Sequence, residues 1–370
     1  MARRGRWTRD LAAGMGWGGS GTLHQCARRA IPAPLMPDLT AQSQMLANRV
    51  KKTVRALGKK FEKQNVGAYR VYDWDIPELR LVVDWYEGHL VAAEYARTQT
   101  DLIPNWLETM AAACAEALSV TPDKVHVKRR RTRPAEGIRY TRLAATGVRF
   151  PVREGRCRFL VNLDDYIDTG LFGDHRETRA MVRAQAAGKS VLNLFCYTGA
   201  FTCAAASGGA KSTTSVDVSP VYLDWLKDNL ALNSLAGPQH ELIRADAREF
   251  LRLAAGQGRS WEVIVCDPPS FSTKRERSQE PGGDGERARG GREGESDFDV
   301  QRDHPELVAD CLARLTPGGT LWFSTNHQRF EPRLGELGPL CAELKEVTAE
   351  TLPPDYRRQA HRCFRITRAR

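Results

Sequence analysis

The chain of 370 residues lacks any apolar run close to the ~20 residues that a membrane-spanning helix needs. It contains nine cysteines but no CxxC pair, so the spacing that typically holds a structural zinc ion is missing. Several cysteines stand in apolar runs, which indicates free thiols in a reducing compartment. The sequence therefore predicts a cytoplasmic protein with no membrane span and no metal site.

Acidic residues are scarce between positions 128 and 158, where eleven arginines and lysines stand against two glutamates. The whole chain has a net charge of +10, so most of the excess charge lies in this segment. A local excess of positive charge is typical of nucleic-acid binding, whereas a merely solvated surface would mix both signs. We therefore expect RNA contacts from Lys128, Arg129, Arg130, Arg131 and Arg133.

Changes in composition divide the chain into three parts. Residues 1–40 are rich in arginine and glycine and are predicted to form a disordered basic arm. Residues 41–165 combine helical and short strand patterns, which predicts a small α+β domain that binds RNA or another substrate. Residues 166–370 form the second predicted domain. Within it, residues 274–296 contain no large apolar side chain and are predicted to be a disordered insertion.

Strand and helix patterns alternate in the second domain, which predicts a doubly wound parallel sheet. Strands are expected at 190–195, 213–217, 240–244, 262–266 and 320–324. Helices are expected at 174–187, 200–207, 220–233, 303–314 and 333–342. Two final strand patterns, Leu344–Thr351 and Cys363–Thr367, are too close for a crossover helix and should be antiparallel. The expected fold class is α/β: a Rossmann-like sheet of seven strands with an antiparallel last strand, preceded by a small α+β domain.

The sequence Asp-Pro-Pro-Ser-Phe at 267–271 directly follows the predicted strand at 262–266. Its two prolines exclude a helix and hold the chain extended. A carboxylate, Asp267, and an aromatic ring, Phe271, therefore stand at the carboxyl edge of the sheet, where open α/β sheets bind ligands. A flat substrate base is the ligand that this combination favours.

Three features at the same edge predict a site for an adenosine group. The strand at 190–195 turns at Gly199 into a helix, whose first N–H groups can bind an anion. Asp217 and Asp246 follow the next two strands, where carboxylates can accept ribose hydroxyls and an adenine amino group. A single aspartate in such a place often caps a helix instead, and Asp174 could either cap the following helix or contact a ligand.

Five motifs stand out in the second domain: TGLFGDHR (169–176), LNLFCYTGAFT (192–202), STTSVDVSPVYLDW (212–225), CDPPSFS (266–272) and FDVQRDH (298–304). They resemble one family, the C-terminal half of the bacterial bifunctional 23S rRNA guanine methyltransferases, which forms 7-methylguanosine. The resemblance implies a class I methyltransferase fold, S-adenosylmethionine as cofactor and ribosomal RNA as substrate. It implies a donor site lined by Phe172, Asp174, Asn193, Tyr197, Gly199, Asp217, Asp246 and Asp267. The family's N-terminal half has no counterpart here, so a separate protein supplying it is a further expected partner.

Guanine N7 has a free lone pair and can attack a methyl group without a general base, so positioning dominates the expected catalysis. Phe271 would stack on the base, and Asp267 would hold its edge or offset its developing charge. Cytosine-5 methylation is the main alternative, but it needs a cysteine, and the segment Phe323–His327 contains none. Methylation of an exocyclic amine usually needs an aromatic residue where Ser270 stands. A non-catalytic RNA-binding assembly factor would not need Asp217 and Asp246.

Overall fold

The computed structural model describes residues 38–95, 100, 103–130, 143–272, 298–335 and 337–370. Within these ranges, no helix is both long and apolar enough to cross a bilayer. The predicted insertion at 274–296 lies outside the described residues, as do Arg131 and Arg133. The predicted arm also lies outside them up to Pro37, whereas residues 38–40 cap and begin the first helix.

The first helix, α1 (Leu39–Lys63), begins where the Asp38 carboxylate accepts a hydrogen bond from the Ala41 N–H at 3.1 Å. Apolar side chains at helical spacing, including Leu46, Val50 and Phe61, form its buried side. The opposite side is exposed and rich in lysine and arginine. The helix is therefore amphipathic, with a strongly basic outer face.

A four-stranded sheet in the order β1-β2-β3-β4 packs against α1. Its elements are β1 (Ala68–Asp73), β2 (Leu81–Tyr86), β3 (His89–Tyr95), α2 (Trp106–Leu118) and β4 (Val125–Arg130). The first three strands pair antiparallel, whereas β3 and β4 are parallel because α2 crosses between them. A hairpin of β5 (Phe150–Glu154) and β6 (Cys157–Val161) follows. The sequence did not predict β5, which is short and contains Pro151.

Helices and strands alternate through the rest of the chain, as predicted. The helices are α3 (Arg176–Gln185), α4 (Ala200–Ser207), α5 (Pro220–Leu232), α6 (Ala247–Gly256), α7 (Val300–Arg314) and α8 (Thr348–Thr351). The strands are β7 (Ser190–Leu194), β8 (Ser212–Asp217), β9 (His240–Arg244), β10 (Trp261–Cys266), β11 (Phe271–Ser272), β12 (Phe298–Asp299), β13 (Leu315–Thr325), β14 (Cys341–Glu346) and β15 (Arg362–Arg368).

Seven of these strands form one sheet in the order β14-β15-β13-β10-β7-β8-β9. The central strand β10 is buried on both faces: Ile264 and Cys266 pack with α6 and α7, while Val263 and Val265 pack on the side of α3 and α4. β15 is antiparallel to both of its neighbours, β13 and β14. The predicted fold class, a doubly wound sheet with an antiparallel last strand, is confirmed.

The hairpin β5–β6 connects the two sheets through a shared apolar cluster. Val152 and Phe159 from the hairpin are buried in one cluster with Tyr86 from β2 and Leu226 from α5. Residues 38–370 accordingly form one compact unit. The boundary at residue 165 between two domains remains a prediction, and the core is continuous across it.

The predicted helix at 333–342 is wrong. A single 3₁₀ turn occupies Gly338–Leu340, and β14 begins at Cys341. Gly335, Gly338 and Pro339 disfavour a helix here. The predicted strand Leu344–Thr351 is also displaced, because β14 ends at Glu346. β14 lies at the sheet edge with mostly exposed side chains, so its sequence has no clear alternation of apolar residues.

Candidate functional site

The strand order of the large sheet reverses between β7 and β10, which are neighbours. Chain segments that leave such a switch point diverge to opposite faces, and a crevice opens at the carboxyl ends of the strands. The turn with Tyr197 and Gly199 follows β7, and Asp267 follows β10. The structure therefore brings the predicted donor turn and the predicted acceptor loop to the same edge.

The Asp217 carboxylate is held in place by two backbone N–H groups. Its Oδ2 accepts the N–H of Tyr197 at 2.9 Å, and its Oδ1 accepts the N–H of Ser219 at 3.0 Å. A carboxylate has about four lone-pair positions, so each oxygen can accept a second hydrogen bond. Tyr197 has a positive φ of 49°, which is uncommon for a residue other than glycine. The chain is strained at the point where Asp217 fixes it.

Gly199 is required by packing as well as by conformation. Its φ is 78°, and a Cβ atom there would lie 2.0 Å from Cδ1 of Leu226 in α5. The structure therefore requires glycine at this turn because a neighbouring helix packs closely against it. Gly199 also begins α4 without a side-chain cap, so the first N–H groups of that helix receive no side-chain acceptor from the cap position.

Three aromatic rings pack together beside the donor turn. The Tyr197 ring lies 5.1 Å from that of Phe172 and 4.6 Å from that of Tyr222, between ring centroids. Phe172 is 40% exposed, so its ring offers apolar surface at the edge of the crevice. Sequence reasoning did not single out Tyr222, which lies two residues inside α5 and within the motif at 212–225.

Asn193 and Asp246 both have hydrogen bonds within the protein. The Asn193 side chain is buried in β7 and donates to Thr202 Oγ1 at 2.9 Å. It supports the turn from inside, and its contact with the methyl donor remains a prediction. Asp246 is the N-cap of α6, and its Oδ1 accepts the N–H groups of Arg248 and Glu249. Asp246 therefore caps a helix, which was the alternative to a ligand contact, and its contact with an adenine remains a prediction.

A cluster of two histidines and two aspartates lies between the donor and acceptor sides. Asp174 Oδ2 is 3.0 Å from His361 Nδ1, and His175 Nε2 is 3.4 Å from Asp267 Oδ2. The two imidazole rings stack, with centroids 4.2 Å apart. Asp174 does not cap α3, because the cap position is His175, whose side chain makes no cap hydrogen bond. His361 comes from just before β15 and was missed in the sequence.

Burial determines the protonation of this cluster. Burial lowers the pKa of His175, although Asp267 and Asp174 oppose the change, so the ring is neutral near neutral pH. Burial alone would raise the pKa of Asp174, but the adjacent histidines outweigh it and hold that pKa well below its usual range. His175 Nδ1 is buried and has no hydrogen-bond partner in the described ranges. A neutral ring can donate from Nε2 to Asp267 and thereby orient it.

Asp174, His175 and His361 could in principle hold a metal ion, since one ligand atom from each lies within 4.8 Å of the others. The lone pairs of imidazole nitrogens lie in the ring plane, however. The two rings are stacked with an interplanar angle of 16°, so their lone pairs do not converge. The arrangement fits a hydrogen-bonding role better than a metal site.

On the acceptor side, Asp267 is fixed but accessible. Its Oδ1 accepts a hydrogen bond from Ser324 at 2.6 Å, and its side chain is 26% exposed. Phe271 is 37% exposed and lies edge-on to His327 at 5.7 Å. Ser270 donates to Asn326 Oδ1 at 2.7 Å, which ties the diproline loop to the end of β13. A carboxylate and an accessible ring are therefore held at one edge, as predicted from the sequence.

The cysteines near the site are unsuited to nucleophilic attack. Cys266 is fully buried, and burial raises the pKa of its thiol well above the usual range. The sequence did not indicate that Cys363 lies near this site. Its thiol is close enough to Asp267 for that carboxylate to affect the thiol pKa. Burial raises its pKa as well, and Asp267 adds to that increase. Both thiols stay protonated at neutral pH, so neither provides a thiolate.

Of the five predicted RNA contacts, the structure describes the side chains of Lys128 and Arg129. The Lys128 side chain is buried, and its Nζ donates to the carbonyl oxygens of Tyr166 and Ile167 at 2.6 and 3.3 Å, so its contact with RNA remains a prediction without an exposed ammonium group to support it. Arg129 is half-exposed and pairs with Glu108 at 3.0 Å. Arg130 ends β4. Contacts of Arg129 and Arg130 with RNA remain predictions.

Other cations of the 128–158 segment also have acidic partners. Arg153 binds Glu87 at 2.8 Å and Glu62 at 3.2 Å. Arg149 binds Asp228 at 3.1 Å. These acids lie far away in the sequence, so counting charges within the segment overestimated the net charge of the surface that it forms.

A doubly wound seven-stranded sheet with an antiparallel last strand, and an aspartate-lined crevice at its switch point, defines the class I methyltransferases. The sequence profile of the S-adenosylmethionine-dependent methyltransferases matches residues 68–276. The chain belongs to this family, and S-adenosylmethionine is its methyl donor.

Relatives with assigned names are similar over most of this chain. The ribosomal RNA large subunit methyltransferase K/L of Pseudomonas aeruginosa is 43% identical over 335 residues, or 89% of this chain. The protein of the same name from Marinobacter nauticus is 40% identical over 349 residues, or 91% of this chain. The chain spans only 43% and 45% of the length of these two relatives.

Two solved structures share the fold. SMU.776, described as a methyltransferase complexed with SAH, has a TM-score of 0.68 and 22% identity, and the match covers 88% of this chain and 81% of that one. A SAM-dependent methyltransferase from Agrobacterium tumefaciens has a TM-score of 0.56 and 20% identity, covering 82% of this chain and 91% of that one. Identity this low supports the fold alone.

Proposed function

We propose that this chain transfers a methyl group from S-adenosylmethionine to guanine N7 in the RNA of the large ribosomal subunit. The observation that carries the proposal is the 43% identity over 89% of the chain to a ribosomal RNA large subunit methyltransferase K/L. The guanine and its N7 atom come from the resemblance of the sequence motifs. An acceptor loop with an accessible ring and carboxylate is compatible with a flat base.

The donor side has the chemistry that an adenosine-containing cofactor needs. Asp217 is fixed by two backbone N–H groups at the end of β8, and its carboxylate is the group that accepts the two ribose hydroxyls. Tyr197 and Phe172 offer ring surface beside it. The bound cofactor supplies an electrophilic methyl group on a sulfonium centre. These residues bind and orient, and none of them has to move a proton.

On the acceptor side, Asp267 and Phe271 act on the base. Phe271 stacks on the purine, and Asp267 offsets the positive charge that develops on the ring when N7 is alkylated. Ser324 donates a hydrogen bond to the carboxylate, and His175 Nε2 lies 3.4 Å from its other oxygen. Because N7 carries no proton, proximity and charge stabilisation are sufficient, and no cysteine takes part. We place the protein in the cytoplasm with the ribosomal RNA.

The product identifies the reaction. Purified protein, S-adenosylmethionine and unmodified large-subunit RNA should yield 7-methylguanosine, which makes the strand sensitive to mild reduction followed by aniline. Cleavage should occur at one guanosine, and mass mapping of RNA from cells with and without the protein should locate the same nucleotide. Asp217→Ala should remain folded but lose donor binding in calorimetry. A methylated cytosine, or loss of activity in a folded Cys266→Ser protein, would refute the proposal in favour of cysteine chemistry.

A further inference from the structure

The outer side of α1 carries cations at spacings that bring them together. Four of them, Lys51, Arg55, Lys59 and Lys63, follow one another at intervals of four residues and form one stripe along the helix. Lys52 and Lys60 extend the stripe on one side. All six side chains are exposed, and we call this set the α1 basic face.

None of the six cations forms an ion pair with a residue in the described ranges. The one acidic residue within α1 is Glu62, and it binds Arg153 of the hairpin. Arg49, which lies outside the set, pairs with Asp75. No carboxylate in the described ranges therefore neutralises the charge of the α1 basic face, whereas the nearby Arg49 and Arg153 are each paired with an acid.

The stability of α1 does not require this many cations. Lys60 and Lys63 lie in the last turn, where cations stabilise the helix dipole. Lys51, Lys52, Arg55 and Lys59 lie further from that end, where the dipole gives little benefit. Cations one turn apart also repel one another, which destabilises the helix. An external polyanion would offset this repulsion.

The α1 basic face has dimensions that suit a nucleic-acid backbone. From Lys51 to Lys63 the helix rises ~18 Å at 1.5 Å per residue. One strand of a duplex presents about five phosphates over that length. A membrane surface or an acidic protein would also attract cations. An RNA substrate is the polyanion that the proposed function already requires.

The helix also leads toward the proposed site. The Phe61 ring lies 4.7 Å from the Arg176 guanidinium carbon, and Arg176 directly follows His175. His175 in turn contacts Asp267. The carboxyl end of α1 therefore packs against the segment that orients the acceptor carboxylate.

We propose that the α1 basic face binds the phosphate backbone of the RNA substrate. The proposal rests on the proposed function for the identity of that substrate. Binding is sequence-independent and salt-dependent, and it positions the RNA relative to the acceptor loop. The predicted basic segment at 128–158 would then have a smaller part in RNA binding than its composition suggests.

The test compares two triple variants with equal loss of charge. Lys51→Gln/Arg55→Gln/Lys59→Gln removes three of the four cations of the stripe, and glutamine keeps a similar helix propensity. The matched control, Lys211→Gln/Lys227→Gln/Arg252→Gln, removes three exposed cations from the methyltransferase part. Binding of a synthetic RNA hairpin is measured over a series of salt concentrations, together with thermal stability and donor affinity.

The α1 variant should bind the hairpin at least about tenfold more weakly at physiological salt, and the slope of log K against log salt should fall by about two to three. The control should retain the wild-type slope, and both variants should keep donor affinity. Equal slopes in the two variants, or loss of affinity only for anionic lipid vesicles, would overturn the proposal. Because hairpin binding is independent of methyl transfer, failure to methylate ribosomal RNA would refute the proposed function and leave this test valid.

Discussion

Lys128, Arg149 and Arg153 each contact an acceptor inside the protein, whereas the cations of the α1 basic face have no ion-pair partner in the part of the chain described. Both regions are rich in positive charge in the sequence. In the segment 128–158, however, the partners come from residues more than twenty positions away, such as Asp228 and Glu87. A cation paired with a carboxylate has little charge left to attract RNA. The difference shows that local charge counts do not identify a binding surface until tertiary partners are known.

The largest expected effect is that of Lys128→Met. This change removes the buried ammonium group that donates to two backbone carbonyls, and it leaves partly buried acceptors without that donor. We expect the free energy of unfolding to fall by roughly 1–3 kcal/mol. Denaturant unfolding measures it, with Lys52→Met as an exposed control. If the free energy of unfolding is unchanged but RNA binding is weaker, Lys128 would instead act in RNA binding, like the cations of the α1 basic face.

Arg153→Gln should have an intermediate effect that depends on pH. Burial alone would raise the pKa of Glu87, but hydrogen bonds from Arg153 outweigh it and lower that pKa below 4.5. Such a carboxylate stabilises the fold above its ordinary pKa, and the contribution is lost as the pH falls through the lowered value. We expect a loss of about 1 kcal/mol at neutral pH.

The comparison with wild type should be repeated in acid. The stability difference for Arg153→Gln should shrink as the pH falls below 4.5, where Glu87 becomes protonated. Arg156→Gln is the control, because Arg156 is exposed and forms no ion pair with a described residue. A difference that stays constant with pH would mean that the Arg153–Glu87 pair does not contribute to stability.

Arg149→Lys should have a smaller effect. Arg149 pairs with Asp228 and stacks over the Trp225 ring at 4.2 Å, and lysine keeps the charge but loses the planar contact. We expect a loss of about 0.5 kcal/mol. The salt dependence of RNA binding should not change. A reduced slope would mean that Arg149 is free to bind phosphate.

The smallest effect on stability is expected for Lys52→Gln in α1. Because Lys52 is exposed and glutamine has a similar helix propensity, the free energy of unfolding should change by less than about 0.5 kcal/mol. The slope of RNA binding against salt should nevertheless fall by about one. An unchanged slope would remove Lys52 from the binding face.

The predictable part of the fold was the part with strong periodicity. β10 is a largely apolar strand followed by Asp267 and two prolines, and it lies where the sequence predicts a strand at 262–266. The edge strand β14 and the short β5 were missed or misplaced because their side chains are mostly exposed or charged. Exposed positions carry little periodic signal, so pairing with a neighbouring strand decides their conformation.

The candidate site was predictable where a residue follows a strand, as for Asp217 and Asp267. It was not predictable where the two residues in contact are far apart in the sequence. His361 reaches Asp174 across 187 positions, and Ser324 reaches Asp267 across 57. Tyr222 joins the aromatic group because α5 packs next to the donor turn. None of these contacts has a local pattern in the chain.

The sequence by itself determined the doubly wound sheet, the edge at which ligands bind and the acidic residues that line it, because periodicity and strand order are local properties. Only the tertiary structure decided which charges remain available. Lys128 became buried, Asn193 turned inward and Asp246 capped a helix, while the lysines of α1 stayed exposed. Burial and pairing depend on residues brought together by folding, so the electrostatics of a surface cannot be read from the order of its residues.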